Sequence, residues 1–334
     1  MPGLMSLAET HEPISLWIAD QLDEVSQRFE RQLASELPAV NALCAHVERY
    51  RGKMLRPTMV LLSGLAASGA DPDSGAVDDR HRIVGAVVEM IHMATLVHDD
   101  VLDDADVRRR GRTVNALHGN ETAVMLGDYL ISNAFHLCSS LGDPTVNLAL
   151  GAVTNTLCAG ELIQLHHRND WSLDEATYEA IVERKTASLI AEGCRLGATL
   201  SSGDPDVAAA LHAYGRLLGI AFQIQDDLLD ITGEQAVVGK SLGRDLEKGK
   251  LTLPVILLLD DADARGRGRI LRAIEERDAT TLRDLLVDSG AMESTHRRAA
   301  ALVDEARSHL PHLPASSARE VLDVLADAVI TRAF

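Results

Sequence analysis

Apolar residues recur every three or four positions over most of this 334-residue chain. In segment 14–35, for example, Leu22, Val25, Phe29 and Leu33 follow this spacing, with polar residues between them. That period matches the 3.6-residue turn of an α-helix and places the apolar side chains on one face. The two-residue alternation of a half-buried strand is absent, and aromatic residues make up only 3% of the chain, which disfavours β-sandwiches and barrels. The sequence therefore predicts an all-α fold.

The same period predicts a series of helices that are separated by Gly-Asp-Pro and similar breaks. The predicted segments are 14–35, 57–67, 80–104, 121–140, 145–167, 173–201, 205–231, 251–259, 294–310 and 316–333. No long linker rich in Pro, Gly or Ser interrupts them, and the polar stretch 233–250 is short enough to be a functional loop. We therefore expect residues 1–334 to form a single-domain bundle.

Charge and hydropathy exclude several classes of protein. The net charge of −18 argues against a nucleic-acid binder, which needs a basic face. The longest apolar stretch, 83–97, is interrupted by Glu89 and His92, so no transmembrane segment is predicted. The amino terminus lacks a basic start and an apolar signal core, and the four cysteines have no metal or redox spacing. These features predict a cytoplasmic protein with free thiols.

Two aspartate clusters share one pattern, Asp-Asp-x-x-Asp, and each closes a long apolar helix. The clusters begin at Asp99 and at Asp226. Residues four apart share a helix face, so Asp99 pairs with Asp103, and Asp226 pairs with Asp230. Like charges repel at that spacing, and the carboxyl end of a helix disfavours anions. One such cluster is as well explained by a solvated helix end, but two of the same form favour cation binding. Hard oxygen ligands without a closed cage suit Mg²⁺ that is shared with phosphate oxygens.

Basic residues stand beside these clusters, as a metal–diphosphate site requires. Segment 108–110 is Arg-Arg-Arg, directly after the first cluster, and segment 240–250 carries four further cations after the second. Lys53 and Arg56 precede a predicted helix, whose free N–H groups also favour phosphate. The spacing does not match a Walker P-loop, so nucleotide binding of that kind is not predicted.

At this point the sequence resembles a known family, the trans-isoprenyl diphosphate synthases or polyprenyl synthetases. The similarity covers roughly residues 51–256. The matching segments are GKMLRP (52–57), EMIHMATLVHDDVLDDADVRR (89–109), GNETAVMLGDYL (119–130), GELIQL (160–165), RKTASL (184–189), GIAFQIQDDLLD (219–230) and GKSLGRDLEKGKLTLP (239–254).

The resemblance implies an isoprenoid synthase fold, an all-α bundle of helices around a deep central cavity, in a homodimer. It also implies that the enzyme condenses isopentenyl diphosphate with an allylic diphosphate and needs several Mg²⁺ ions. Two departures, Arg51 in place of a family Gly and Arg112 in place of a family Lys, affect loops near the site.

Residue roles follow from the same resemblance. Mg²⁺ is expected on Asp99, Asp103 and Asp226, with Asp100, Asp227 and Asp230 supporting. The allylic diphosphate is expected on Arg108, Lys185 and Lys240. Isopentenyl diphosphate is expected on Lys53, Arg56, His92 and Arg109. Thr186 and Gln223 are expected to line the path of the allylic cation, where their dipoles stabilise positive charge.

Alternative functions differ in the motifs that they need. A class I terpene cyclase shares the fold but replaces the second aspartate motif, which is intact here, and it has no use for Lys53 and Arg56. A non-catalytic subunit of a heteromeric synthase usually loses aspartates. The sequence therefore favours a prenyltransferase over both.

Product length depends on the residues one and two turns before Asp99, namely Thr95, Ala94 and Ile91. None is aromatic, whereas farnesyl-length synthases of the family usually carry a bulky ring there. Wall residues further down are expected among Met90, Val87, Phe135 and Leu137. The expected product is geranylgeranyl diphosphate or longer, with a farnesyl-length synthase as the alternative.

Overall fold

The computed structural model describes residues 12–50, 52–108, 111–232 and 243–331. Helix dominates these residues, as the apolar period predicts, and the all-α fold is confirmed. The strands in the described part of the chain are two short ones, β1 (Val107–Arg108) and β2 (Gly111–Arg112), which pair as a hairpin. This hairpin was not predicted, because two residues a strand are too few for any periodicity.

The helices are named in chain order. They are α1 (Glu12–Leu33), α2 (Pro38–Glu48), α3 (Leu55–Ser68), α4 (Asp79–Leu102), α5 (Val114–His118), α6 (Asn120–Ser139), α7 (Pro144–His166), α8 (Glu175–Val182), α9 (Ser188–Ser201), α10 (Pro205–Thr232), α11 (Arg244–Glu247), α12 (Leu253–Asp260), α13 (Ala264–Glu275), α14 (Ala279–Asp288), α15 (Ala291–Ser308) and α16 (Ser317–Ile330).

Helix α4 is the central element of the amino-terminal half, and it packs against α1, α3 and α6. It starts at a capping box in which Asp78 accepts a hydrogen bond from the Arg80 amide and the side chain of His81 accepts one from the Asp78 amide. It ends at Asp103, and Asp104 follows with a φ of 48°. That left-handed residue stops the helix where its carboxylates reach the cavity.

Helix α10 joins the two apolar clusters of the core. Leu211, Tyr214 and Leu218 on α10 pack in the cluster formed mainly by the first half of the chain. Ile224 and Ile231, further along α10, pack in the cluster formed mainly by α8 and α12–α15. Because one continuous helix contributes to both clusters, we propose that the chain folds as one domain.

The predicted helix 173–201 is interrupted. Residues Glu183–Ala187 form a π-helical turn between α8 and α9. Single π-turns inside helices occur frequently at functional sites, because they redirect side chains that a regular helix would hold apart. The apolar period alone cannot reveal one inserted residue, so this interruption was missed.

Two helices, α7 and α10, are long and apolar enough to cross a membrane by length and composition alone. The most apolar window of α10 is 67% buried inside the protein, and that of α7 is 28% buried. Burial explains the composition of α10 as that of a core helix.

Candidate active site

One large cavity, of about 1350 Å³, gathers most of the residues that the sequence singled out. It is larger than the roughly 300–1000 Å³ of common small-molecule pockets. Charged residues from the ends of α4 and α10 lie in the same cavity as aliphatic residues from α1, α7 and α16. The predicted residues that line it are Lys53, Arg56, His92, Asp99, Asp103, Arg108, Lys185, Thr186, Gln223, Asp226 and Asp227.

The first aspartate cluster divides into exposed and buried members. Asp99 and Asp103 line the cavity, whereas Asp100 is only 2% exposed and does not. Arg108 donates to Asp100 Oδ1 over 2.8 Å through its Nε atom. Arg108 lies in β1, shortly after the end of α4. Burial raises the pKa of Asp100, and the Arg108 guanidinium opposes that shift.

Asp103 is held by two cations from different parts of the chain. Arg168, just after α7, donates to its Oδ1 over 3.0 Å. Lys250 donates to Oδ2 over 2.6 Å and is itself 8% exposed. Lys250 also lines the cavity, so its positive charge is available to an anion there as well as to Asp103.

The π-helical turn carries Lys185 and Thr186 into the cavity. Two glycines let neighbouring helices approach it closely. A Cβ on Gly160 of α7 would lie 2.8 Å from Arg184 Cβ and 3.0 Å from the Lys185 amide nitrogen. A Cβ on Gly219 of α10 would lie 2.7 Å from the Cα of Ala187. The turn is therefore clamped between two helices at positions where only hydrogen fits.

Lys185 is surrounded by acceptors. Its Nζ contacts Glu161, donates to Gln164 Oε1 over 2.9 Å and lies 3.4 Å from Asp99 Oδ2. Burial alone would lower the pKa of Lys185, but the Asp99 and Glu161 carboxylates outweigh it and raise the pKa above its usual value. Lys185 is therefore a fixed positive charge beside the first aspartate cluster.

The second cluster is divided in a similar way. Asp226 and Asp227 line the cavity, whereas Asp230 accepts a hydrogen bond from the Asp245 amide over 3.0 Å and does not line it. Asp245 lines the cavity, and burial together with the Asp230 carboxylate raises its pKa to about 6. Burial also raises the pKa of Asp227, with a contribution from Asp245.

A hydrogen-bonded chain connects the second cluster to the π-helical turn. Thr186 donates to Gln223 Oε1 over 2.9 Å, and Gln223 Nε2 donates to Asp227 Oδ1 over 2.8 Å. The hydroxyl of Tyr178 donates to Asp227 Oδ2 over 2.6 Å. Both oxygens of Asp227 are thus occupied by protein donors.

A second group of basic residues lines the cavity, with Lys53 and Arg56 beside the start of α3 and His92 on α4. Lys53 is exposed, Arg56 and His92 are half-buried, and all three line the cavity. Met54, between Lys53 and Arg56, has a φ of 52°. Non-glycine residues rarely adopt this conformation and are concentrated at functional sites. Arg109 and Lys240, which the resemblance also places at the diphosphates, lie outside the described residues.

The aspartate carboxylates of the site fit a metal ion only if a substrate supplies further ligands. Among the described residues, no group of three or more His, Cys, Asp or Glu side chains is close enough to hold a metal ion. Asp99, Asp103 and Asp226 nevertheless face one cavity, in the neighbourhood of Lys185 and Lys250. Mg²⁺ is commonly bound by one or two carboxylates together with substrate phosphates and water. The residues therefore fit Mg²⁺ that is shared with a diphosphate.

The apolar walls of the cavity differ partly from the prediction. Ile91 and Thr95 line it, as expected, and they are one helical turn apart on α4. Ala94 does not line it and is fully buried in the core, so its predicted position was wrong. The prediction of the other wall residues was also wrong. The residues that do not line the cavity are Met90, Val87, Phe135 and Leu137. The residues found there instead include Ile18, Leu22, Ile131, Thr154, Leu157 and Cys158.

The cysteines are free, as the sequence predicts. Cys44, Cys138 and Cys194 are buried, and burial raises the pKa of each thiol. Cys158 is exposed and lines the cavity. Three of the four therefore behave as small apolar residues.

Several residues of the site were not assigned a role from sequence. Tyr178 stands in an ordinary amphipathic segment, and nothing in that segment marks it. Glu161 and Gln164 belong to the quoted GELIQL segment, which offered a signal without a role. Asp245 and Lys250 follow the second cluster; Lys250 was predicted only as one of the four cations there, and its contact with Asp103 joins residues that are far apart in sequence.

Comparison with known proteins is consistent with this geometry. The sequence profile of the polyprenyl synthetase family matches residues 38–286. The octaprenyl diphosphate synthase of Escherichia coli is 33% identical over 325 residues, which cover 96% of this chain and 98% of that protein.

Solved structures extend the similarity to three dimensions. A decaprenyl diphosphate synthase from Rhodobacter capsulatus superposes with a TM-score of 0.86 at 34% identity and covers 98% of both chains. A polyprenyl synthase from Caulobacter crescentus, complexed with calcium and isoprenyl diphosphate, gives a TM-score of 0.86 at 33% identity. That alignment covers 99% of this chain and 97% of the other.

Proposed function

The chain belongs to the polyprenyl synthetase family and is a trans-prenyltransferase, and from this premise we propose its substrates, its metal, its residue roles and its assembly. It joins isopentenyl diphosphate to an allylic diphosphate and makes an all-trans polyprenyl diphosphate. The observation that carries the proposal is the single cavity in which two aspartate clusters, two groups of cations and a long aliphatic wall meet.

The charged end of the cavity binds the allylic diphosphate. Asp99, Asp103 and Asp226 would hold Mg²⁺, which would supply positive charge to stabilise the leaving diphosphate. Lys185 and Arg108 add positive charge, and Lys240 joins them from outside the described residues. Asp100, Asp227 and Asp230 support the direct ligands through their contacts with Arg108, Gln223 and the Asp245 amide. Calcium and isoprenyl diphosphate in the Caulobacter relative support this role for the cation.

The second group of cations binds isopentenyl diphosphate. Lys53, Arg56 and His92 line that part of the cavity, and Arg109 completes the set from outside the described residues. Two separate cation groups are what a condensation of two diphosphates needs. A class I terpene cyclase has one diphosphate to bind, so it is not favoured.

The allylic cation forms between these groups, beside Thr186 and Gln223. Oxygen dipoles stabilise positive charge there without forming a bond to it. Aliphatic walls exclude water, which would otherwise capture the cation. After the new carbon–carbon bond forms, the released diphosphate is positioned to accept the proton.

The product is long. Ile91 and Thr95, which precede Asp99 on α4 and line the cavity, are not aromatic. The relatives reported above are named as octaprenyl and decaprenyl synthases. A product of geranylgeranyl length or longer follows, and a farnesyl-length synthase is not favoured.

The enzyme acts in the cytoplasm as a homodimer. Large apolar side chains are exposed on α6 and α7, at Met125 (64%), Leu148 (74%) and Leu162 (67%). Such a surface is better buried against a second copy than left in water. Leu148→Glu is expected to shift the mass in solution to that of a monomer, whereas Val287→Glu, at an exposed position of α14, is expected to leave it unchanged.

Turnover with defined substrates tests the function. The purified protein is given isopentenyl diphosphate, farnesyl diphosphate and Mg²⁺, and the products are separated by chain length. Asp99→Asn and Asp226→Asn are each expected to lower kcat by about 10²–10³-fold or more, because charge stabilisation on the leaving group is a large part of catalysis.

The matched control is Asp106→Asn, which removes an exposed carboxylate outside the cavity. Its turnover is expected to equal that of the wild type. Cyclic hydrocarbon products, or full turnover in either cluster variant, would contradict the proposed reaction.

A further inference from the structure

Tyr178 takes no part in the roles proposed above, yet it is buried inside the site. Its side chain is 4% exposed, lies on α8 and lines the same cavity as Thr186, Gln223 and Asp227. Its hydroxyl donates to Asp227 Oδ2 over 2.6 Å. Buried tyrosine hydroxyls usually have a hydrogen-bond partner, and here that partner is an aspartate of the second cluster.

The partner atoms on Asp227 show what this contact does. Gln223 and Asp227 are four residues apart on α10, and so they share a face. Gln223 Nε2 donates to Asp227 Oδ1 over 2.8 Å, on the oxygen that Tyr178 leaves open. The carboxylate therefore receives one donor on each oxygen, and its rotation is fixed by α8 and α10 together.

Fixing Asp227 decides which end of the Gln223 amide faces Thr186. The two ends of an amide have nearly the same shape and opposite polarity. With Nε2 bonded to Asp227, Oε1 accepts the hydrogen of the Thr186 hydroxyl over 2.9 Å. The hydroxyl hydrogen of Thr186 is therefore engaged in a hydrogen bond within the protein. The lone pairs of the Thr186 hydroxyl oxygen remain available to a group in the cavity. A reversed amide would set Oε1 against the Asp227 carboxylate and N–H groups against Thr186.

We propose that Tyr178 is a positioning residue which, through Asp227, keeps the Gln223 amide and the Thr186 hydroxyl oriented with their oxygens toward the developing allylic cation. The inference rests on the proposed prenyltransferase function. Tyr178 and Thr186 lie on one continuous segment, and both are bonded to α10 through the same chain of side chains. The arrangement thus also fixes the π-helical turn against α10.

Tyr178→Phe tests the proposal, because it removes one hydroxyl and keeps the buried ring. We expect kcat to fall by about 10-fold or more, less than the 10²–10³-fold that follows loss of a direct contact to the reacting charge. The KM values for both diphosphates and the Mg²⁺ concentration at half-maximal rate are expected to stay within about twofold of the wild type, because Tyr178 acts on cation formation and not on binding.

Tyr214→Phe is a matched control. Tyr214 is also fully buried, and its hydroxyl donates to the Leu322 carbonyl over 2.6 Å, but it does not line the cavity. The two substitutions therefore remove the same group at the same hydrogen-bond distance. Thermal melting is used to check that both variants are folded. Of the two folded variants, only Tyr178→Phe is expected to have a lower turnover than the wild type.

A double-mutant comparison identifies the route. In a Gln223→Leu background there is no amide to orient, so adding Tyr178→Phe is expected to change kcat by less than about twofold. A loss as large as in the wild-type background would overturn the proposal. So would a kcat for Tyr178→Phe equal to that of the control, or a loss accompanied by a higher Mg²⁺ requirement.

Asp227→Asn keeps the inference testable if Tyr178→Phe does not fold. Asparagine has one acceptor and one donor end, so either Tyr178 or Gln223 loses its acceptor. We expect a similar loss of kcat with the KM for isopentenyl diphosphate unchanged, and an unchanged kcat would refute the proposal. Absence of any prenyl transfer by the wild-type protein would instead refute the proposed function.

Discussion

Side chains that are adjacent in sequence differ in this site in how deeply they are buried and in which residues they contact. Asp99 and Asp100 are adjacent in sequence, yet Asp99 lines the cavity while Asp100 is buried against Arg108. The aspartate pattern identifies the cluster, because spacing along a helix is local. Which carboxylate is buried depends on how the end of α4 packs against the rest of the chain, and the apolar period does not encode that packing.

Lys53 is predicted to bind only one of the two substrates, isopentenyl diphosphate. Lys53→Ala is expected to raise the KM for isopentenyl diphosphate by about 10-fold or more and to change the KM for the allylic substrate little, since one charge-assisted hydrogen bond contributes roughly 1.5–3 kcal/mol. Lys248→Ala, which removes an exposed lysine outside the cavity, serves as the control. Equal effects of Lys53→Ala on both KM values would show that the two diphosphate sites are assigned wrongly.

His81 makes the stability of the protein depend on pH. The ring is 0% exposed and lies 2.8 Å from the Ser201 hydroxyl through Nε2, and burial lowers its pKa below the usual value of about 6.5. The unfolded chain therefore binds a proton at this histidine more readily than the folded chain. The contribution of His81 to the free energy of unfolding is therefore expected to be greatest above about pH 6.5 and to fall as the pH drops below it.

Urea unfolding at several pH values checks this expectation. His81→Gln should flatten the pH dependence relative to the wild type, while His312→Gln, at an exposed position, should leave it as it is. A wild-type slope that survives in His81→Gln would assign the effect to another group.

At the scale of elements, the π-helical turn is the feature that builds the site. It brings Lys185 and Thr186 into the cavity, and it is seated between Gly160 and Gly219. The helical period predicted one helix over 173–201 and correctly placed its outer ends. The inserted turn depends on close packing against two other helices, which a local pattern does not contain.

Gly160→Ala tests that packing. The added Cβ would meet Arg184 Cβ at 2.8 Å and the Lys185 nitrogen at 3.0 Å, so we expect a loss of about 1–3 kcal/mol in unfolding free energy and a lower kcat. Gly151→Ala, in the same helix, has nothing within 4 Å of its added Cβ. It is expected to stabilise the protein by about 0.5–1 kcal/mol with normal turnover. Normal turnover in Gly160→Ala would show that the close approach is dispensable.

At the scale of the whole molecule, the depth of the cavity sets the product. Thr95 lines the cavity one turn below Asp99, so Thr95→Phe is expected to place a ring in the path of the growing chain and to shorten the product by at least one isoprene unit. Chromatography of the released alcohols measures this. An unchanged product distribution would mean that the chain follows another wall.

Ala94→Phe provides the contrast. Ala94 is buried in the core and does not line the cavity, so a phenylalanine there is expected to cost about 1–3 kcal/mol of stability by overpacking and to leave chain length unchanged in the folded protein.

The whole chain is also expected to unfold as one unit. Because α10 contributes to both apolar clusters, neither cluster can lose its packing without disturbing that helix. Circular dichroism and intrinsic fluorescence should therefore give coincident transitions in denaturant. Two separated transitions would divide the chain into two domains.

The sequence by itself determined the helical fold, the two aspartate clusters, the cations beside them and the free cysteines. Each of these depends on residue type and spacing along one helix or loop, and the period of a helix is short enough to read from the chain. Only the tertiary structure decided that Asp100 pairs with Arg108, that Lys250 pairs with Asp103, that Tyr178 joins Asp227, and that Ile91 rather than Ala94 faces the cavity. Those outcomes depend on which helices approach one another and how closely, and that is fixed by packing between residues distant in sequence.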